Sequence, residues 1–174
     1  MIGSITGGIV GTSVAGNRWF RFFVSLLAAL VLQLMQLPDG LAPWRPLWLA
    51  LILAYWVLAS PELPTLAAAF LTGLLSDLMF MSLPGEHALA LVLLVYMLQR
   101  LRSNLILLPL WQATLVMSGG WAAYTFLLFW LDGLSHHPVS ALLRWMPVAV
   151  TVLAWPFVVM LMDATQPRRR RHPV

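Results

Sequence analysis

Residues 70–89 read FLTGLLSDLMFMSLPGEHAL, a greasy run that carries one acid, Asp77, before a tight "SLPGEH" break and the start of a second apolar run. Apolar sequence on both sides of so short a break predicts a tight hairpin between two membrane helices. Residues three and four apart share a helix face, which aligns Leu66, Ala69, Gly73, Asp77 and Phe80. Ala69 and Gly73 form a small-xxx-small pair that admits a close helix neighbour. A carboxylate at the middle of a membrane helix costs about 2.5–3.5 kcal/mol on insertion scales, so Asp77 is expected to face protein, not lipid. The segment therefore predicts a tight helix contact built around an acid.

The rest of the 174-residue chain has the same character. It is 61% hydrophobic and 9% charged, with a mean hydropathy of +0.87. Soluble domains are about 45–50% apolar and about 25% charged, and a core of this size cannot hide such an excess. The expected fold class is an all-α integral membrane protein, a compact bundle of six transmembrane helices. Proline, glycine and charge divide the apolar sequence into residues 22–37, 46–60, 64–83, 87–99, 105–131 and 141–162. Several of these fall short of the roughly 20 residues that cross a bilayer, so they must borrow from their flanks. The fifth is long enough to need tilt or a kink, for which Gly119 and Gly120 are the natural place. Pro46 and Pro64 suit first helical turns. Residues 1–17, glycine-rich, are expected to be a flexible tail, residues 18–163 the helical domain, and residues 164–174 a basic cytoplasmic tail. Arg18 and Arg21 before an apolar run resemble the start of a signal peptide, but no small-residue cleavage site follows, so an uncleaved first helix is expected.

Arginine placement sets an expected orientation. All ten basic residues are arginine. With both termini inside, Arg18, Arg21, Arg100, Arg102, Arg168, Arg169, Arg170 and Arg171 lie in the cytoplasm and only Arg45 and Arg144 outside, which satisfies the positive-inside rule. The terminal arginine run is expected to anchor to anionic lipid rather than to nucleic acid. Trp19, Trp44, Trp48, Trp130 and Trp145 fall near helix ends, where amphipathic rings prefer to sit.

Candidate chemistry is sparse. There are no cysteines, which removes disulfides and thiolate sites. No G-x-S-x-G, H-E-x-x-H or phosphate-binding loop occurs, and Glu62 and Asp77 lie toward opposite faces, too far apart for acid/base work. No cofactor or metal site is expected. His136 and His137 with Asp132 are expected to form a solvated loop, and Glu86 and His87 a solvated hairpin. Asp77 has no second acid or histidine in the apolar runs for a proton relay, so a packing or interaction role is expected, with Arg45 or Arg144 as its ion-pair partner and Gln33 and Gln36 nearby. Trp56, Trp111, Trp121 and Trp155 are expected to line an aromatic pocket, fill helix interfaces or contact lipid.

The series "LQLMQLPDGL", "RPLWLALILAYWVLASPE", "FLTGLLSDL" with "LPGEHAL", and "LWQ" resembles the MreD family of the bacterial rod-shape system, from about Arg18 to the end of the sixth apolar run. That resemblance implies a non-enzymatic scaffold of the inner membrane. It implies direct binding of MreC, and a place in one complex with MreB, RodA and a class B penicillin-binding protein. It also implies a fold similar to the substrate-binding S components of energy-coupling-factor transporters, which keeps a small-molecule or lipid-binding transport subunit as the alternative. The motif positions carried over are Arg45, Pro46, Tyr55, Trp56, Pro61, Gly73, Asp77, Gly85, Trp111 and Gln112. Gly73 and Asp77 are expected in helix packing or partner engagement, and Arg45 and Pro46 at the outer start of the second helix. Arg100, Arg102 and the arginine tail are expected to form a basic cytoplasmic face for lipid or a filament partner.

Overall fold

The computed structural model describes residues 7–35, 44–134 and 141–165, and these form six helices with no strand among them. The helices are α1 (Gly7–Leu34), α2 (Trp48–Ala59), α3 (Thr65–Phe80), α4 (Glu86–Leu105), α5 (Leu110–Leu134) and α6 (Ala141–Thr165). α2 is the centre. Its twelve residues, WLALILAYWVLA, are apolar on every face and nine are buried, as expected of a helix surrounded by others. α1, α3, α4 and α6 all pack on it. Phe22 and Leu26 of α1, Leu91 and Val95 of α4 and Trp155 of α6 close the core around it.

The outward faces are as apolar as the core. Phe20, Leu27, Leu71, Leu78, Leu115, Phe126, Leu153 and Phe157 are each at least half exposed. Apolar patches this extensive face lipid or a partner, not water. α1, α4, α5 and α6 are long and apolar enough to cross a membrane, whereas α2 and α3 are shorter, at 12 and 16 residues. At 1.5 Å per residue those two reach about 18 and 24 Å, against a hydrocarbon core of about 30 Å.

Several boundaries differ from the expected ones, each for a local reason. α1 begins at Gly7, inside the segment expected as a tail, because each residue added to an existing helix gains a hydrogen bond without a new nucleation cost. α4 runs on through Arg100 and Arg102 to Leu105. Arginine in a last turn complements the helix dipole, so charge there does not end the helix. Leu110 opens α5 directly after Pro109, and helical hydrogen bonding continues through Gly119 and Gly120. A Cβ on Gly120 would lie 3.2 Å from Leu94 Cδ1, so that glycine brings α5 close to α4. Pro64 is the N-cap of α3 and Pro46 precedes the N-cap of α2, Leu47; both lie just outside the turns expected to hold them.

α6 contains Pro147 and Pro156. The fully buried Thr151 hydroxyl donates to the Pro147 carbonyl and accepts the Leu47 N–H at 2.9 Å. It thereby ties the start of α2 to the proline-containing helix. Residues 1–6, 36–43, 135–140 and 166–174 lie outside the described residues. With them lie Gln36, His136, His137 and the arginine run; the side chains of Asp132 and Arg144 are also outside the description.

Candidate functional site

Among the described residues the α3–α4 hairpin holds the deepest charge, and its geometry follows from how α3 ends. Met81 adopts a left-handed conformation, φ 51°, and the Ser82 N–H donates to the Asp77 carbonyl at 3.1 Å. This six-to-one bond closes a Schellman turn. Asp77 thus sits in the last turn of α3, not in mid-helix. A carboxylate there is poorly placed for its own helix dipole, but the turn aims it at the beginning of α4.

The N-cap of α4 is Gly85, whose φ is 98° and which has no side chain to cap the helix. Asp77 does so from across the hairpin. Its Oδ2 accepts the N–H of Gly85 at 2.9 Å and of Ala88 at 3.4 Å. Its Oδ1 accepts the N–H of His87 at 2.8 Å, the Ser82 hydroxyl at 3.0 Å and the His87 ring Nδ1–H at 2.9 Å. The carboxylate is 2% exposed. It fulfils in trans what an Asp N-cap does in cis, satisfying first-turn donors and the positive helix end.

Gly73, one turn earlier, makes that reach available. A Cβ there would stand 2.4 Å from Ala88 Cα and 2.7 Å from Ala88 N, so the two backbones are in contact. Glu86, in the first turn of α4, is buried, and His87 is partly buried. The expected solvated hairpin is therefore a packed one, because its polar groups are taken up by Asp77 and the helix end.

The expected ion pair of Asp77 with Arg45 does not form. The Arg45 guanidinium donates to the carbonyls of Gln33, at 2.9 Å, and Met35, capping the C-terminus of α1. Arg102 donates to the Val57 carbonyl at 3.0 Å and to the Leu58 carbonyl at 3.2 Å, capping α2. Arg21 donates to the Thr165 carbonyl at 2.6 Å, capping α6. Each charge serves the oppositely signed end of a neighbouring helix. Arg100 is instead at the surface, 5.8 Å above the Tyr96 ring.

Arg18, Arg21, Arg102, Glu62 and Asp163 gather at one end. Arg18 pairs with Glu62 at 2.7 Å, and Tyr55 donates to Asp163 Oδ1 at 2.7 Å. Pro61 and Arg102 line a cavity of about 360 Å³ there, with Val57, Thr65, Gln99 and Ser103. Among the motif positions, Trp56 is buried, donates to Ser25 Oγ at 2.8 Å and meets Phe22 edge-on at 5.5 Å. Trp121 and Trp155 pack on each other at 5.6 Å between α5 and α6. Trp111 is 63% exposed and belongs with the surface tryptophans rather than the interior ones. Asp163, Thr151, Ser25 and His87 are the tie points that the sequence pattern did not single out; three carry no helix-face signal, and His87 was masked by its turn-like neighbours. Among the described residues no three His, Asp or Glu side chains group as a metal site.

These features define a multi-pass helical membrane protein whose charged side chains close helix ends and hold the bundle together. The family model for rod shape-determining protein MreD matches residues 15–165. The rod shape-determining protein MreD of Haemophilus influenzae is 32% identical over 161 residues, covering 89% of this chain and 96% of that protein. No solved structure matches. The chain belongs to the MreD family. It is a multi-pass protein of the bacterial inner membrane with a role in cell shape.

Proposed function

We propose that the protein is a non-enzymatic scaffold of the elongasome that binds MreC directly. Through MreC it couples MreB filaments to peptidoglycan synthesis by RodA and a class B penicillin-binding protein. All six helices cross the membrane, with both termini in the cytoplasm, and no cofactor takes part. Besides family membership, one observation carries the reading: Asp77 holds five donors of its own hairpin. An acid so engaged is a structural lock and not a proton or cation carrier. Affinity purification from membranes is expected to retain MreC, and depletion to round the cells. An eluate without MreC, together with normal rods after depletion, overturns the proposal.

A second reading, a small-molecule-binding subunit similar to S components, is favoured by the cavity around Thr65, Gln99 and Arg102. Thermal-shift screening with vitamins and lipid intermediates tests it. A saturable shift that Arg102→Gln abolishes supports this reading, and no shift with any ligand counts against it.

A further inference from the structure

We propose that the groove between α1 and α6 is a binding site for an anionic phospholipid, with its phosphate on Arg21 and one acyl chain along the groove. The groove, about 380 Å³, is bordered by Val24, Ala28, Leu32 and Leu161 and is closed at one end by Arg21 and Thr165. The alanine keeps it open, and the surrounding side chains are apolar. The Ser25 hydroxyl on its wall is already engaged, donating to the Phe22 carbonyl and accepting the Trp56 indole N–H. A ligand of this groove therefore needs an apolar body and one charged end.

Arg21 defines that end. Of its five donors, Nε–H bonds the Asn17 carbonyl at 3.1 Å and one Nη1–H bonds the Thr165 carbonyl. Three N–H donors remain, enough for a two-pronged contact with phosphate. At this end Arg18 and Glu62 offset each other and Asp163 is held by Tyr55, while the chain as a whole carries a net charge of +4; a positive balance favours an anionic headgroup over a zwitterionic one. Length selects the occupant as well. From Arg21 to Leu32 the helix rises about 16 Å, close to half of the roughly 30 Å hydrocarbon core. One leaflet's acyl chain fits that span, whereas a partner's transmembrane helix needs contact across both leaflets.

The site is tested by titrating the full-length protein in mild detergent with palmitoyl-oleoyl phosphatidylglycerol or the matching phosphatidylethanolamine, and counting retained lipid by native mass spectrometry. Phosphatidylglycerol is expected to bind more tightly, and Arg21→Gln to weaken it on the order of fivefold, the factor for one arginine at an anionic surface. Ala28→Phe fills the groove and is expected to abolish the retained lipid, while Leu115→Ala, on the exposed face of α5 and away from the groove, leaves it unchanged. Excess inorganic phosphate is expected not to displace the lipid; displacement would show a simple anion site and overturn the acyl-chain part. Equal retention of both lipids overturns the proposal, as does wild-type retention by Arg21→Gln and Ala28→Phe together. So does protection of the groove by a protein segment that cross-links to Ala28→Cys.

Discussion

At the scale of residues, Asp77 shows why an acid in greasy sequence need not be a reaction centre. Its five donors come from a reversal that leaves four of them on backbone or side chains of residues 82–87, with Ala88 the last. Replacing it by asparagine turns one acceptor into a donor facing other donors, and unmatched buried groups of this kind cost about 1–3 kcal/mol. Asp77→Asn is therefore expected to lower thermal stability in detergent, with Asp77→Ala lower still. The two partner hypotheses separate in double-mutant cycles. Asp77→Asn with His87→Ala should be non-additive by about 0.5–3 kcal/mol, whereas Asp77→Asn with Arg45→Gln should add. Gly73→Ala places a methyl group against the Ala88 backbone, and overpacking of that kind costs about 1–3 kcal/mol; a melting curve unchanged from wild type would refute the contact. The close-approach face of Gly73 was legible in the sequence, because helical spacing places Ala69, Gly73 and Asp77 together. The partners of Asp77 were not, since most of them are backbone N–H groups, which every sequence carries and no pattern marks.

At the scale of elements, the α3–α4 turn combines two left-handed residues, one of the wrong type. Gly85, at φ 98°, suits its position; Met81, at φ 51°, does not, and it is 94% exposed, so packing does not explain it. A side chain in the left-handed region costs about 1–2 kcal/mol, a penalty glycine escapes. Met81→Gly is thus expected to raise the unfolding temperature modestly, after the loss of some unfolded-state order is offset. Gly85→Ala is expected to lower it by more than Met81→Gly raises it. Opposite signs in the same melting assay check the pair. The six helices were legible because apolar runs broken by proline and glycine mark them directly. Their ends were less so: Arg100 and Arg102 read as a stop, yet the helix dipole and the carbonyls of α2 welcome Arg102.

At the scale of the whole molecule, a shared rule emerges from Asp77, Arg21, Arg45 and Arg102: each closes the helix end of opposite polarity on a neighbour. In a bilayer, where water cannot satisfy such ends, this explains how a chain with few charges holds short helices together. It also explains how α2 can be only 12 residues long, since it is wrapped by protein rather than lipid. The same contacts sort the turns between the two ends of the bundle. Arg102 draws the end of α4 to the end of α2, so the turn at Leu107 lies with Glu62 and Arg18, opposite the turn at Met81. With both termini inside, as proposed, Leu107 is expected in the cytoplasm and Met81 outside. The chain has no cysteine, so single substitutions give an unambiguous readout. Met81 and Leu107 are 94% and 82% exposed, which leaves a thiol at either place accessible. A membrane-impermeant maleimide added to cells with a permeabilised outer membrane is expected to label Met81→Cys at once, and Leu107→Cys only after the inner membrane is opened. Labelling of both from outside would show that the two turns share a face, and labelling of Leu107→Cys alone would invert the orientation.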